Sequence, residues 1–517
     1  MSDTKQPSAF LILFAVLLAV FVVPSSISGT AIALPYISED IQSDLASLQW
    51  VVNAFNLTFA CFTLIWGKIS DVWGKKRSFF IGAFIYTLAS AGSALSTDAL
   101  MLDIFRALTG VGGAAIFACG SAIFIHAFEG DARTKAFALF GTTAGLGITL
   151  GPTISGILLD SIGWQAIFFM HAAALFLVLI VSVKIPADQT QGGSFAQIDL
   201  IGSFLFISSM FLLMLALSKG YDWGWRSQSI ILSFAGSAAC FLGFILRIRI
   251  ATFPVLSLEL IKNHKFLGLI LVPVVASFTF VTLLTYFPTF LTGSMQFTAS
   301  KAGLIMLFLT APVLVFPLLA GKLSAKGVST NLLMYLSIIS MLIGAVALIF
   351  AVQNHISIIT IAFALILIGI GMGMSAGLVD GQALSSVNES DVGMAAGLLN
   401  TFRLGSEAIG VAIYGSLLSS LVSNMVPIQL KEHIVLNTDS WVNAISSGNF
   451  MSMLPQGKAD QAGIFETMSS IYNSAFVTTN IALTGMALIA SILVVFLLSK
   501  ERKEKKKQSN QEKAYNL

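Results

Sequence analysis

Residues 67–77 read Gly-Lys-Ile-Ser-Asp-Val-Trp-Gly-Lys-Lys-Arg. They stand between two apolar stretches, 46–68 and 78–96, and crowd Lys68, Lys75, Lys76 and Arg77 into a short turn. Gly67 lets neighbouring helices approach closely and Gly74 permits a tight reversal. Asp71 is an anion that can meet a helix N-terminus or an arginine across a gap. Lys75, Lys76 and Arg77 hold the turn on the cytoplasmic side. Outward from this turn the alternation of apolar stretch and short polar connection covers the chain. Fourteen stretches match the roughly 20 residues that cross hydrocarbon. They lie near 10–34, 46–68, 78–96, 100–125, 136–159, 162–184, 199–218, 228–246, 266–290, 302–321, 330–352, 356–385, 393–421 and 473–499.

Composition agrees with that reading. Of 517 residues, 56% are hydrophobic and 10% charged, against about 25% charged in a soluble domain. Such a chain is not a soluble enzyme, a disulfide scaffold or a disordered protein. A net charge of +3 gives no reason to expect nucleic-acid binding. Cys61, Cys119 and Cys240 have no paired spacing, so neither disulfides nor a metal site is expected. An all-α polytopic inner-membrane protein remains. An even number of spans puts both termini on one side. The connections on that side hold most of the 28 Lys and Arg, seven of them in the tail from Lys500 to Lys513, so both termini are expected in the cytoplasm. That tail reads as an orientation signal touching membrane lipids. The external segment 422–472 is long for a connection, and helical spacing from Ile445 to Met453 fits an amphipathic hairpin at the outer surface.

Gly67-Lys68-Ile69-Ser70 after the second span is echoed by Gly321-Lys322-Leu323-Ser324 after the tenth. Two related six-span halves with two spans between them give 6 + 2 + 6. The expected divisions are 1–190, 191–264, 265–499 and the tail 500–517. Proteins built this way bind cargo near the midplane and rock one half against the other.

The turn at 67–77 resembles the cytoplasmic signature of the major facilitator superfamily, with Val72 where that signature usually has Arg. Residues 102–113, Leu-Asp-Ile-Phe-Arg-Ala-Leu-Thr-Gly-Val-Gly-Gly, resemble its second signature, with Arg106 as the embedded cation and Thr109 in place of the usual Gln. A charge at that depth is a functional candidate by default. Residues 145–156, Gly-Leu-Gly-Ile-Thr-Leu-Gly-Pro-Thr-Ile-Ser-Gly, resemble the signature of proton-driven exporters. There Gly147, Gly151 and Gly156 leave a smooth face, and Pro152 removes a backbone donor. Asp199-Leu200-Ile201-Gly202, Gly224-Trp225 and Lys301-Ala302-Gly303-Leu304 extend the resemblance to the fourteen-span drug:proton antiporters. Residues 49–77 are similar to tetracycline exporters, and 422–472 to quaternary-ammonium exporters. The resemblance implies a major facilitator fold, proton-coupled export and no ATP.

One departure matters. Most members carry an acid in span one, and alignment on Ala33-Leu34-Pro35 puts Ser26 near that place. Among the acids, Asp71, Asp103 and Asp160 sit near span ends, and Asp380 is one to two turns from the end of span twelve. Only Glu407 is clearly interior. At about 1.5 Å per residue it lies roughly 21 Å into span thirteen. The matching stretch of the tetracycline exporters also carries a Glu. Arg403 shares its helical face. Burial favours the protonated acid and a neighbouring guanidinium favours the carboxylate. Two readings therefore stand, a proton carrier that wets and dries, and a fixed Arg403–Glu407 pair. Proton coupling is assigned to Glu407, Arg403, Arg106 and Asp380. Ser26, Trp50, Asn53, Asn56, Phe59, Phe278 and Tyr286 are candidates to line a cavity for a flat amphipathic molecule. His126 and His171 read as packed or interfacial. No P-loop and no catalytic constellation is present in the sequence. The expected protein is a monomeric secondary exporter of lipophilic cations or zwitterions, driven by protons and using no cofactor. Export of an endogenous metabolite, siderophore or lipid is the alternative, and a non-transporting receptor a further one.

Overall fold

The computed structural model describes residues 9–42, 45–183, 198–354, 357–430, 438–453 and 461–515. The apolar stretches form helices α1 (Ala9–Asp40), α2 (Leu45–Trp73), α3 (Lys75–Ala94), α4 (Ala99–Ala127), α5 (Gly130–Ser161) and α6 (Gln165–Ser182) in a first bundle. Then come α7 (Leu200–Trp223) and α8 (Gln228–Ile250), and a short α9 (Leu258–Lys262). The ninth stretch is segmented into α10 (His264–Ile270), α11 (Val272–Ala276) and α12 (Thr282–Thr289), with π-helical turns at Ser277–Val281 and Phe290–Ser294. A second bundle continues with α13 (Ala299–Ala325), α14 (Thr330–Gln353), α15 (Ile358–Ser375), α16 (Leu378–Leu384) and α17 (Val392–Gln429). An outlying α18 (Thr438–Ser446) precedes α19 (Gln461–Tyr515).

Among the described residues, thirteen helices are long and apolar enough to cross a membrane. The remaining expected span, 78–96, forms α3. It starts on Lys75, Lys76 and Arg77 and is rich in Gly and Ser, so its composition is too polar for that count, yet it packs between α4 and α6. Two expectations about local structure change. Residues 67–73 are not a loop: they form the last two turns of α2, and only Gly74, at φ 102°, breaks the helix before α3. Stretch 356–385 is not one helix: Gly377, at φ 76°, separates α15 from α16 and lies against the Phe137 carbonyl, where a Cβ would overlap it.

Within the first bundle α1 packs on α5, α2 on α4, and α3 on α4 and α6. Gly147 and Gly151 of α5 face the backbone of α1 at Phe21 and Ser25. Gly156 has open space on its Cα face. In the second bundle α13 packs on α15, and α14 on α15 and α19. Helix α18 is more than a surface rider. Its Trp441, Val442 and Ile445 are buried, with Phe450, in one cluster with Tyr414, Val422 and Tyr472. Of the segment 422–472, expected to be external, residues 431–437 and 454–460 lie outside the described residues, as do 184–197 at the expected boundary near 190.

Candidate functional site

The two bundles meet along α2 and α17, and along α5 with α13 and α16. Small residues make the approach possible. A Cβ on Gly67 would overlap the Gly393 carbonyl, and Gly397 sits on the backbone of Thr63 and Leu64. The Thr401 hydroxyl donates to the Ala60 carbonyl at 3.4 Å. On the other seam Gly145 meets Val313, and Gly141 meets Ala376 and Gly377.

Asp71 ends this seam. Its carboxylate accepts the backbone N–H groups of Gly393 at 2.8 Å and Met394 at 2.7 Å. Those are orphan donors of the first turn of α17, where the helix dipole also favours an anion. Lys75 lies 3.7 Å from the same carboxylate. Of its two possible partners, then, Asp71 takes the helix N-terminus. Lys76 donates to the Val183 carbonyl at 3.1 Å, and Arg77 is exposed. Just before α17, burial and the nearby Glu259 carboxylate hold the Asp391 carboxyl above its usual range, while Lys68 opposes them.

Farther along the seam, Asn53 and Asn56 occupy the stripe of α2 that later carries Ala60, Thr63 and Gly67 toward α17. On α17, Leu404 and Ala408 join the cluster of Leu57, Cys61 and Met214. Ser406 shares a 2.8 Å hydrogen bond with Ser277, and Gly410 faces Phe278 and Thr282. Glu407 falls on the arc of α17 between these two stripes. It is half-buried, and no described residue gives it a hydrogen bond or ion pair. One turn on, Tyr286 donates to the Val411 carbonyl at 3.1 Å and stacks on Tyr414 with ring centroids 4.3 Å apart.

Arg403 is engaged elsewhere. Its Nη2 lies 2.6 Å from Asp380 Oδ2 on α16, and its Nη1 donates to Asn400 at 3.0 Å. The fixed pair in the structure is therefore Arg403–Asp380, not Arg403–Glu407. The sequence held no sign of it, since the partners are on different helices. Arg106, on α4, is fully buried, and its bonds go to the Val51 carbonyl and the Ser26 hydroxyl. Phe59 is buried between the rings of Phe55 and Phe117. Trp50 lines a separate apolar cleft of about 160 Å³, shared with Leu57, Cys61, Ile207 and Phe211.

Two packed helical bundles joined by a helical hairpin, with charged groups buried in each, define a polytopic membrane transporter. Residues 16–411 match the Major Facilitator Superfamily, and the chain belongs to that family. It is a secondary transporter, in a family of transporters and not of enzymes. It is 27% identical over 394 residues to Multidrug resistance protein Stp of Mycobacterium tuberculosis, covering 76% of this chain and 72% of that one. It is 24% identical over 503 residues to the tetracenomycin C resistance and export protein of Streptomyces glaucescens, covering 95% and 92%. The solved structure of the proton:xylose symporter XylE superposes with a TM-score of 0.58 at 14% identity, covering 93% of this chain and 95% of that one. The fold is shared at that distance.

Proposed function

We propose that the chain is a proton-coupled antiporter that exports lipophilic cations or zwitterions by alternating access. One observation carries this reading: Glu407 is an uncommitted carboxylate on the arc of α17 between those two stripes, while Arg403 beside it is neutralised by Asp380. A carboxylate so placed takes a proton when the gap between the bundles opens outward and gives it up, or exchanges it for a cation, when the gap opens inward. Asp380 and Arg403 hold the surrounding charge constant, and Arg106 supplies a fixed positive charge in the first bundle. Asn53, Asn56, Phe278 and Tyr286 line the same gap and supply the polar and aromatic surface a flat cation needs. The names of relatives such as the multidrug resistance protein support drug-like cargo.

The remaining assignments belong to this reading. Two six-span halves, 1–190 and 265–499, flank a two-span insertion at 191–264, with a basic tail at 500–517. Both termini are cytoplasmic, so the Asp71 end of the seam closes the inner side. Gly67, Asp71, Gly74, Lys75, Lys76 and Arg77 form that gate; in the antiporter motif Gly147 and Gly151 form the face of α5 along which α1 settles, and Pro152 and Gly156 flank it. A second reading, export of an endogenous product, draws on the relative named for tetracenomycin C export.

With one exchanging acid, a monovalent cation leaves as one proton enters and no net charge moves. Membrane potential, which acts at about 2.3 kcal/mol per charge per 100 mV, then contributes nothing. The test is export in everted vesicles with pH difference and potential imposed separately. Export driven by the pH difference alone, and abolished in Glu407→Gln, is expected. Export driven by potential alone, or wild-type coupling in Glu407→Gln, would overturn the single-acid reading.

A further inference from the structure

The first bundle encloses a cation for which the described residues provide no ion-paired anion. Arg106 is fully buried. Its Nε donates to the Val51 carbonyl at 3.0 Å and its Nη1 to the Ser26 hydroxyl at 2.9 Å, both neutral acceptors. The rings of Phe55 and Phe168 lie 4.6 and 5.7 Å from its guanidinium carbon. Its Nη2 has no hydrogen-bond partner. Asp103, three residues earlier on α4, is the acid that acts on it electrostatically, yet the two form no ion pair.

More donors surround the same guanidinium. His171, on α6, is fully buried with neither ring nitrogen bonded, and the buried Tyr86 hydroxyl, on α3, lies beside Ser26. Tyr86 packs edge-on against Phe55 with ring centroids 6.4 Å apart, and His171 stands one turn after Phe168 on α6, so both adjoin the two rings that flank Arg106. Three neighbouring helices thus bring a guanidinium, an imidazole and a phenol into one enclosed region, and α1 adds Ser26. Each of these groups offers a hydrogen atom, and none brings a negative charge. Leaving a charge buried and uncompensated costs several kcal/mol, and each unmade buried hydrogen bond adds to it. A single small anion removes both costs at once, because it supplies the charge and accepts several N–H and O–H bonds together. The full burial of Arg106, His171 and Ser26 calls for an ion that needs little space.

We propose that Ser26, Tyr86, Arg106 and His171 form a binding site for a small inorganic monoanion of halide size, which in a cell means chloride. The site lies in the opposite bundle from Glu407 and does not depend on how protons are carried. Binding is read on the resting protein, so its failure leaves the antiport reading untouched.

The probe is chloride itself, with gluconate as the anion too large to enter. Purified protein in detergent should bind radioactive chloride saturably, bromide should compete, and thermal unfolding should shift upward in chloride relative to gluconate at equal ionic strength. Ser26→Asp places a carboxylate beside Arg106 Nη1. That variant should lose chloride binding and unfold identically in both salts. His171→Phe, which removes one donor and keeps a ring of similar bulk, should weaken binding about tenfold or more. It serves if Ser26→Asp does not fold. Unfolding of the wild type that ignores the anion, with no saturable binding, would overturn the site and leave it to ordered water. Undiminished chloride binding in folded Ser26→Asp or in His171→Phe would also overturn it.

Discussion

Replacing Asp380 and replacing Glu407 should have opposite consequences for stability and coupling. The Arg403–Asp380 contact is 2.6 Å long, between side chains 17% and 2% exposed. Asp380→Ala removes one partner of a nearly buried pair and leaves Arg403 with only Asn400 as a side-chain bond. Loss of one partner of such a pair costs about 3–5 kcal/mol, a change of about a hundredfold or more in the folding equilibrium. Glu407→Gln removes no hydrogen bond or ion pair to a described residue and keeps the side-chain volume, so its cost should stay within about 1 kcal/mol. The assay is reversible unfolding of purified protein in mixed micelles of rising denaturing-detergent content, followed by circular dichroism. Asp380→Ala should unfold far earlier than wild type, and the double variant Asp380→Ala with Arg403→Met should recover much of the loss, because no uncompensated charge remains. Glu407→Gln should unfold with wild type while failing to couple. If Glu407→Gln proved as unstable as Asp380→Ala, Glu407 would be the working counter-charge of Arg403, and its role as a free carrier would be refuted.

Three further outcomes follow from the packing. Gly151→Leu should block turnover in protein that still inserts, because any side chain there meets Ser25 and Ser28 of α1, whereas Gly156→Leu, with open space before it, should retain activity; equal activity of the two in vesicles would show that the α1–α5 contact does not matter. Asp71→Asn weakens two charge-assisted bonds to the start of α17, each worth about 1.5–3 kcal/mol, so a cysteine at Thr63 should be alkylated faster and transport should fall while substrate binding persists. Loss of binding as severe as the loss of transport would remove Asp71 from the gate. Gly377→Ala forces a side chain to φ 76° against the Phe137 carbonyl; it should lower unfolding stability by at least about 1 kcal/mol, and wild-type stability would mean that the α15–α16 break is not fixed.

The spans were legible because hydropathy over some twenty residues is a strong signal. The turn at 67–77 was legible as a motif but not as structure. Polar residues such as Lys68 and Asp71 lower hydropathy where a span leaves the hydrocarbon, yet the backbone stays helical to Trp73. The break at Gly377 was hidden, since glycines also pack inside unbroken spans and only the neighbouring Phe137 carbonyl distinguishes this one. The partner of Arg403 was hidden for a different reason. Spacing along one helix reports neighbours on that helix, and Asp380 reaches Arg403 from another. Phe59 shows the same limit: its type fits a cavity wall, and its neighbours Phe55 and Phe117 make it core.

The hairpin of α7 and α8 lies across the very seam where the bundles meet. Against α2 it offers Ile207, Met210 and Met214, side chains that grip by shape alone and can be slid past one another. Against α17 it is tied by a directional bond, from the Ser416 hydroxyl to the Leu217 carbonyl at 3.1 Å. Its outgoing chain is laced to the second bundle as well, through Ser257 on Met394 and Asn263 on the Ser386 carbonyl. The hairpin is therefore bonded to the second bundle and packed on the first by shape alone. In the proposed rocking cycle it would travel with the second bundle as a passenger and bear on the first without stiffening the joint.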